Sequence, residues 1–334
     1  TSGTTGDPKG VVLSHRNFIA EFEAVEGFFE GTVEDIVMSF LPLSHILQRV
    51  TDMYSLLFGM SVAYAESLET LGENLREVRP TSIVAVPRVY EKIAGRILEG
   101  AEKGSALKRR LFNWALDVGR RYRRAEARGS VPSGLAGRHA IADRLVFGKI
   151  RAAKGGRMRF YAAAGAPLPA DLAEFFYAVG IKILEVYGMT ELSGAITVNT
   201  SSEFLFGSVG KVCPGVELKI TEEGEVCVRG DVVMQEYWNK PEATAETIDA
   251  EGWLHTGDVG HIDDNGFVYI TDRMKELIVT AGGKNVAPQP LENALKADKY
   301  VGQAMVIGDR RNFISALIVP ERVVLLHWEA EQGL

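Results

Sequence analysis

The first ten residues, Thr1-Ser2-Gly3-Thr4-Thr5-Gly6-Asp7-Pro8-Lys9-Gly10, gather four hydroxyl side chains, three glycines and a lysine. Glycine backbone can turn its N–H groups toward an anion, hydroxyls donate to phosphate oxygens, and an ammonium adds charge. The run therefore reads as a polyphosphate-binding loop. The nucleotide-triphosphatase loop is excluded by spacing, because it needs Gly, four residues and then Gly-Lys-Ser or Thr, whereas Lys9 lies three past Gly6 and precedes Gly10. An ordinary Gly/Thr-rich turn would account for the glycines but not for the hydroxyls together with Lys9. Glu191 follows a run that reads as a buried strand, where a carboxylate needs a cationic partner; Arg, Lys or a metal ion would serve. Taken alone, His45 reads as a packed histidine and Asp258 as a turn carboxylate.

The elements that must position these residues alternate. Asp35–Leu41, Ser82–Val86 and Ile181–Val186 read as buried strands, and Leu168, Leu172, Phe175, Phe176 and Val179 mark one face of a helix ended by Gly180. Strand and helix in alternation predict an α/β domain with a largely parallel sheet. From about Glu217 the texture changes to hairpins: Glu217–Thr221 with Glu225–Arg229, and His261–Asp272 bent at Asp263-Asp264-Asn265-Gly266. Beyond Asp272, Glu276–Thr280, a helix at Pro290–Ala297 and the run Gln303–Val319 predict a separate α+β unit. The expected domains are 1–216, large and α/β; 217–272, a β-rich subdomain; and 273–334, part of a small α+β domain.

Composition sets limits. The 334 residues are 46% hydrophobic with mean hydropathy near zero, and the net charge of −7 argues against nucleic acid as a partner. No apolar stretch reaches the ~20 residues of a membrane-spanning helix. Cys213 and Cys227 form no Cys-x-x-Cys pair and lie near no histidine cluster in sequence, so both are expected to be buried, reduced thiols. Charge is segregated: Lys108–Arg159 holds fifteen Lys or Arg against three acids. Within it Leu107, Leu111, Ala115, Val118 and Tyr122 recur at helical spacing. That pattern predicts an amphipathic helix with a solvated basic face, or else a surface for anionic lipid headgroups or ligand phosphates.

The opening run resembles the phosphate-binding signature of the adenylate-forming superfamily, and further matches follow in the family's order. Leu41-Pro42-Leu43-Ser44-His45 resembles the motif whose histidine lies beside the acyl carboxylate, and Gly165-Ala166-Pro167 resembles the loop along adenine. Tyr187-Gly188-Met189-Thr190-Glu191 resembles the superfamily's most diagnostic pentapeptide; the resemblance implies that Tyr187 stacks on adenine, Thr190 meets the α-phosphate and Glu191 helps hold Mg²⁺. Trp253-Leu254-His255-Thr256-Gly257-Asp258 resembles the segment whose aspartate accepts both ribose hydroxyls, and Asp272-Arg273-Met274-Lys275-Glu276 the hinge, with Asp272 the pivot and Arg273 a second ribose contact. Gly282-Gly283-Lys284-Asn285 resembles the loop that swings in for thioester formation.

By the same resemblance the catalytic set is Lys9, His45, Thr190 and Glu191, and the nucleotide is held by Thr1, Ser2, Gly3, Thr4, Thr5, Gly6 and Lys9 with Gly165, Ala166, Pro167, Tyr187, Gly188, Asp258, Arg273, Gly283 and Lys284. The implied reaction converts a carboxylic acid and ATP, with Mg²⁺, into an acyl adenylate and passes the acyl group to coenzyme A. Val86-Pro87-Arg88-Val89-Tyr90-Glu91-Lys92-Ile93 and the basic segment are similar to bacterial long-chain fatty acyl-CoA synthetases, so a long-chain fatty acid is the expected substrate. The expected location is the cytoplasm, with peripheral contact to anionic lipid at the inner face of the membrane. Ala163-Ala164 departs from the Ser-Gly more common in that branch and is expected to tighten the adenine loop. A fatty acyl-AMP ligase that loads a carrier protein and a non-catalytic nucleotide-binding relative are the alternatives. The resemblance also implies family segments before Thr1 and after Leu334, among them a C-terminal catalytic lysine, without which adenylation by these 334 residues is expected to be impaired.

Overall fold

The computed structural model describes residues 8–29, 31–296, 298 and 300–332. They fall into two compact units, residues up to 217 together with 229–244, and residues 218–228 together with 245 onward.

The first unit is built on a seven-stranded sheet ordered Ser61–Tyr64, Ile36–Ser39, Ser82–Ala85, Phe160–Ala163, Ile183–Met189, Gly194–Val198 and Lys211–Val212. The first five strands run parallel, and the last two are antiparallel additions. Because successive side chains alternate, Val37 and Ala162 face one side while Met38 and Ala163 face the other, and both sides are buried. That double burial is why these strands read as short apolar runs rather than as alternating ones.

Helices His15–Val25 and Ile46–Leu57 cover one face, contributing Phe22, Val25, Val50 and Tyr54. Leu71–Val78, Pro87–Glu102, Ala106–Ala127 and Ala170–Ala178 cover the other with Leu75, Tyr90, Phe112 and Phe176. Local chemistry fixes the helix starts. Ser14 caps the first helix through a reciprocal capping box with Asn17, and Pro87 occupies the first turn of its helix, where no N–H is needed.

Two expectations shift. The strand read as Ile181–Val186 runs from Ile183 to Met189, so Tyr187 and Gly188 belong to its last turn of ladder and do not follow it. In the basic helix Ala106–Ala127 the buried face is Phe112, Ala115, Leu116, Val118 and Gly119, whereas Leu107 is 77% exposed. Residues 112, 116 and 119 share a stripe with 115 at the i+3 and i+4 steps, and Leu107 lies outside it. Ala163 and Ala164 are packed into the two core clusters on either side of the sheet, at 1% and 6% exposure.

The second unit carries an antiparallel sheet ordered Val268–Arg273, Leu254–Ile262, Glu225–Arg229 and Glu217–Ile220. The hairpin Ile278–Val279 with Asn285–Val286, the helix Pro288–Lys296, the hairpin Val301–Ile307 with Ser315–Pro320 and the helix Arg322–Gln332 follow. The α/β first unit and the smaller α+β region after the β-rich sheet agree with the fold class read from the sequence. Among the described residues no helix is long and apolar enough to cross a membrane.

Glu185 sits on the last of the parallel strands at 7% exposure and accepts a hydrogen bond from the Leu168 backbone N–H at 3.2 Å. Burial pushes its carboxyl up to about 7, against the pull of two backbone N–H groups. The folded chain thus holds this proton to higher pH than the unfolded chain does. The stability it contributes is complete below the ordinary carboxyl range and is lost as pH rises to about 7, a loss of about 3 kcal/mol. Glu185→Gln should flatten that part of the stability profile, read as a smaller fall in thermal midpoint between about pH 5 and pH 7.5 than the parent shows. An unchanged slope would place the titrating group elsewhere.

Candidate active site

Lys9 is the first residue of the opening run within the described part of the chain that bears a charge; Thr1, Ser2, Gly3, Thr4, Thr5 and Gly6 lie outside it. The chain just after Lys9 is pinned by an antiparallel pair, Val11 opposite Tyr237 and Val12 opposite Glu236, and by the Trp238 N–H donating to Gly10 O at 2.7 Å. The pairing sets the Lys9 Nζ 4.5 Å from the centre of the Tyr237 ring, a cation–π contact. The Tyr237 hydroxyl in turn donates to Glu191 Oε1 at 2.8 Å. Lys9, Tyr237 and Glu191 therefore stand together, although they are far apart in sequence.

Glu191 lies in a 3-10 turn, Thr190–Leu192, between the strands Ile183–Met189 and Gly194–Val198, and is 4% exposed. The Tyr237 hydroxyl satisfies one of its carboxylate oxygens. The turn is held from both ends: Met234 N–H donates to Glu191 O, and Ser193, at φ +64°, donates its hydroxyl to Val232 O at 2.8 Å. Gly188 is required by packing. A Cβ there would stand 1.7 Å from Gly194 O on the neighbouring strand. Thr190 opens this turn and Tyr187 lies on the strand that leads into it, both half-buried. Gly165, Ala166 and Pro167 form an exposed loop after the strand Phe160–Ala163, tethered at Leu168 by Glu185.

His45 is exposed and caps the helix Ile46–Leu57, its Nδ1 accepting from Leu47 N–H at 3.3 Å. That contact assigns the proton of a neutral imidazole to Nε2, leaving the histidine a donor at its outer nitrogen. The same unit contains an apolar cavity of about 280 Å³ walled by Val25, Phe28, Phe29, Tyr54, Phe160 and Val186, with Glu21 at its edge. The Glu21 carboxyl accepts from Ala195 N–H at 2.6 Å, and burial raises its pKa well above the usual range.

In the second unit Asp258 is 8% exposed, with Oδ1 3.3 Å from Arg273 Nε across the paired strands. Asp272 is 1% exposed and accepts from the backbone N–H groups of Arg273 and Gln289. Gly283 and Lys284 occupy the exposed turn of the hairpin Ile278–Val279 with Asn285–Val286, where Gly283 has φ +75° and Lys284 N–H donates to Thr280 Oγ1. Cys213 and Cys227 are buried and free, as expected. Cys227 nevertheless has a histidine beside it: its Sγ is 3.5 Å from His255 Nδ1, which also meets Glu225 Oε2 at 2.8 Å. Burial and Glu225 push the Cys227 thiol up to about 11. Tyr237, Glu225 and His255 escaped the sequence reading. A faint signal existed for Tyr237 in the aromatic pair Tyr237-Trp238 just before a Pro-containing turn, but nothing local ties it to Glu191.

The sequence model of AMP-binding enzymes matches residues 1–238, and that of the AMP-binding enzyme C-terminal domain matches residues 275–331. The chain belongs to the AMP-binding enzyme family. Within it, the chain is 42% identical over 339 residues to fadD11 of Mycobacterium tuberculosis, covering all of this chain and 59% of that protein. It is 39% identical to the long-chain-fatty-acid–CoA ligase FadD15 of Mycobacterium bovis, covering 98% of this chain and 55% of that one. Among solved structures, ATP-bound MatB from Rhodopseudomonas palustris is similar at 26% identity and TM-score 0.73, with 99% of this chain and 60% of that one covered. MenE, the O-succinylbenzoate coenzyme A synthetase of Bacillus subtilis solved with ATP and a magnesium ion, is similar at 26% identity and TM-score 0.70, with 96% and 59% covered. The chain thus spans a little over half the length of these relatives.

Removing only the Tyr237 hydroxyl should leave the Glu191 carboxyl buried without its donor. Tyr237→Phe keeps the ring under Lys9 and is expected to cost about 1–3 kcal/mol in denaturant unfolding. A variant as stable as the parent would mean that water or another group already serves Glu191.

Proposed function

We propose that the chain carries most of the adenylating machinery of a long-chain fatty acyl-CoA ligase, which joins a fatty carboxylate to AMP with release of pyrophosphate and then transfers the acyl group to coenzyme A. The observation that carries the adenylation step is the Lys9, Tyr237 and Glu191 arrangement beside Thr190, in a chain of the AMP-binding enzyme family. A lysine held at a phosphate loop and a buried carboxyl with one oxygen already satisfied fit the two ends of a metal–triphosphate group: the ammonium for phosphate oxygens, the carboxyl as a hard oxygen ligand for Mg²⁺. When bound, that ion neutralises charge on the phosphates.

The residues of the chain do the rest. Lys9 and the hydroxyls of the opening run bind the phosphates, and Thr190 donates to the α-phosphate while the carboxylate attacks in line. His45, a donor at its outer nitrogen, orients that carboxylate. Asp258 accepts from the ribose hydroxyls with Arg273 beside it, and Tyr187 with Gly165, Ala166 and Pro167 holds adenine. Gly283 and Lys284 serve the thioester step, for which the domain boundaries 1–216, 217–272 and 273–334 are the natural partition. The apolar cavity walled by Phe28, Phe29, Tyr54 and Phe160 supports a hydrocarbon chain as the acid's tail, as does the similarity to FadD15, whose name gives it as a long-chain-fatty-acid–CoA ligase.

The basic helix supports a peripheral site at the membrane. Leu107, Trp114, Ile141 and Leu145 stand exposed among its arginines and those of the segment that follows, a mixture suited to an anionic lipid surface from which the substrate is drawn. Binding to vesicles should rise with anionic lipid fraction and fall with salt, at about 1 kcal/mol per basic residue engaged. Indifference to both would leave a solvated helix.

For the reaction, the test is pyrophosphate release and thioester formation by the longest reading frame containing this chain, with palmitate, acetate or malonate, ATP, Mg²⁺ and coenzyme A. Palmitoyl-CoA is the expected product, and Glu191→Gln should slow pyrophosphate release about 10²-fold or more. Acyl-AMP that persists in the presence of coenzyme A would favour the carrier-loading ligase; preference for malonate or acetate would overturn the long-chain assignment; no pyrophosphate with any acid would leave a nucleotide-binding protein.

A further inference from the structure

Asp258 owes its place to an irregularity in the antiparallel pair Glu225–Arg229 and Leu254–Ile262. Cys227 lies opposite His255, and Glu225 lies opposite Val259, so two steps on one strand face four on the other. Val226 on one strand faces Thr256, Gly257 and Asp258 on the other, two residues more than a regular pairing, and such a bulge re-aims side chains beside sites. An expelled backbone loses ladder hydrogen bonds and must find others. Here they come from two side chains. Glu225 Oε1 accepts from Gly257 N–H at 3.0 Å, and Thr256 Oγ1 accepts from Asp258 N–H at 3.1 Å while donating to Val226 O at 2.7 Å. Gly257 takes φ +71°, which allows the reversal.

The Glu225 carboxylate is itself braced. Its second oxygen meets His255 Nδ1 at 2.8 Å, and the other nitrogen of that ring is 3.6 Å from Asp249 Oδ2. The imidazole bridges two carboxylates, and its pKa is raised by its hydrogen bond to Glu225. Glu225 is thus a strut filling the inside of the bulge, with His255 as its backstop, and neither residue is required by the regular ladder. Hydrogen bonds at 2.7–3.1 Å around a three-residue bulge leave the Asp258 carboxylate little freedom.

We propose that Glu225, braced by His255, is a positioning residue that sets recognition of the nucleotide sugar by holding the Gly257–Asp258 bulge. The inference rests on the reading of Asp258 as the ribose ligand. A carboxylate fixed to meet both hydroxyls rejects a sugar lacking one, because its desolvated oxygen is left unpaired; a loosened one turns to water and discriminates less. Loss of the strut therefore acts on the sugar, and contacts to the triphosphate are unchanged.

The experiment is equilibrium titration of the 334-residue chain with ATP, 2′-deoxy-ATP and inorganic pyrophosphate, in the parent and in Glu225→Gln, His255→Asn and Asp258→Ala. The parent should prefer ATP over 2′-deoxy-ATP by roughly 10²-fold, and Asp258→Ala should abolish the preference. Glu225→Gln keeps the shape and one acceptor, and should cut the preference about tenfold with pyrophosphate affinity unchanged. His255→Asn reaches the same strut from its far side and should act in the same direction, which keeps the test decisive where either variant folds poorly. A parent without sugar preference overturns the ribose reading of Asp258, and the positioning role falls with it. A preference abolished by Asp258→Ala but untouched by Glu225→Gln and His255→Asn overturns the positioning role alone. Equal losses for all three titrants would mean that the strut only stabilises the fold, which also overturns it.

Discussion

A carboxyl group at the end of a buried strand has to find a donor, and in this chain the donor for Glu191 comes from 46 residues away. The Tyr237 hydroxyl reaches it from a strand, Glu236–Tyr237, that pairs with Val11–Val12 just after Lys9. One hydrogen bond therefore couples three distant stretches: the opening run, the diagnostic pentapeptide and the Glu236–Tyr237 strand. Gly188 and Ser193 are consequences of the same convergence. The first lacks the Cβ that would strike Gly194 O, and the second adopts a left-handed conformation stabilised by its bond to Val232 O.

The pairing of a buried acid with a distant or loop donor recurs elsewhere. Glu21 accepts from Ala195 N–H, Glu185 from Leu168 N–H, Glu225 from Gly257 N–H and Asp272 from Gln289 N–H. Each is an acidic side chain at low exposure that would be costly if unpaired, and each takes up a backbone N–H donor. Cost and need cancel at the same point. The result fixes loops without adding apolar bulk near a polar site.

This arrangement also separates what the sequence makes legible from what it does not. The buried strands announce themselves because Ile36-Val37-Met38 and Ile83-Val84-Ala85 are covered on both faces, and the order of the glycine, hydroxyl and acidic motifs identifies the family before any geometry is known. Strand ends are less visible: the ladder Tyr187–Thr197 and Met189–Gly194 extends the central strand three residues past its apolar run, because hydrogen bonding continues where hydrophobicity stops. The packing stripe of the basic helix was misplaced at Leu107, since a helix so rich in arginine has few apolar residues to define its phase. Tyr237, Glu225 and His255 were out of reach. The Tyr237–Glu191, Cys227–His255 and Glu225–His255 contacts span 28 or more residues, and no local period or spacing encodes them.

The claim on which the account turns is that Lys9, Thr190 and Glu191 form the triphosphate end of a nucleotide site, with Tyr237 as the link that holds them. A crystal structure of the chain with a non-hydrolysable ATP analogue and Mg²⁺ tests it most directly. The account predicts phosphate density against Lys9 and Thr190, a metal on the Glu191 carboxylate, and the Tyr237 hydroxyl still bonded to that carboxylate. Phosphates bound away from Lys9, or an Mg²⁺ ion held by other residues with Glu191 bonded to Tyr237 alone, would contradict it.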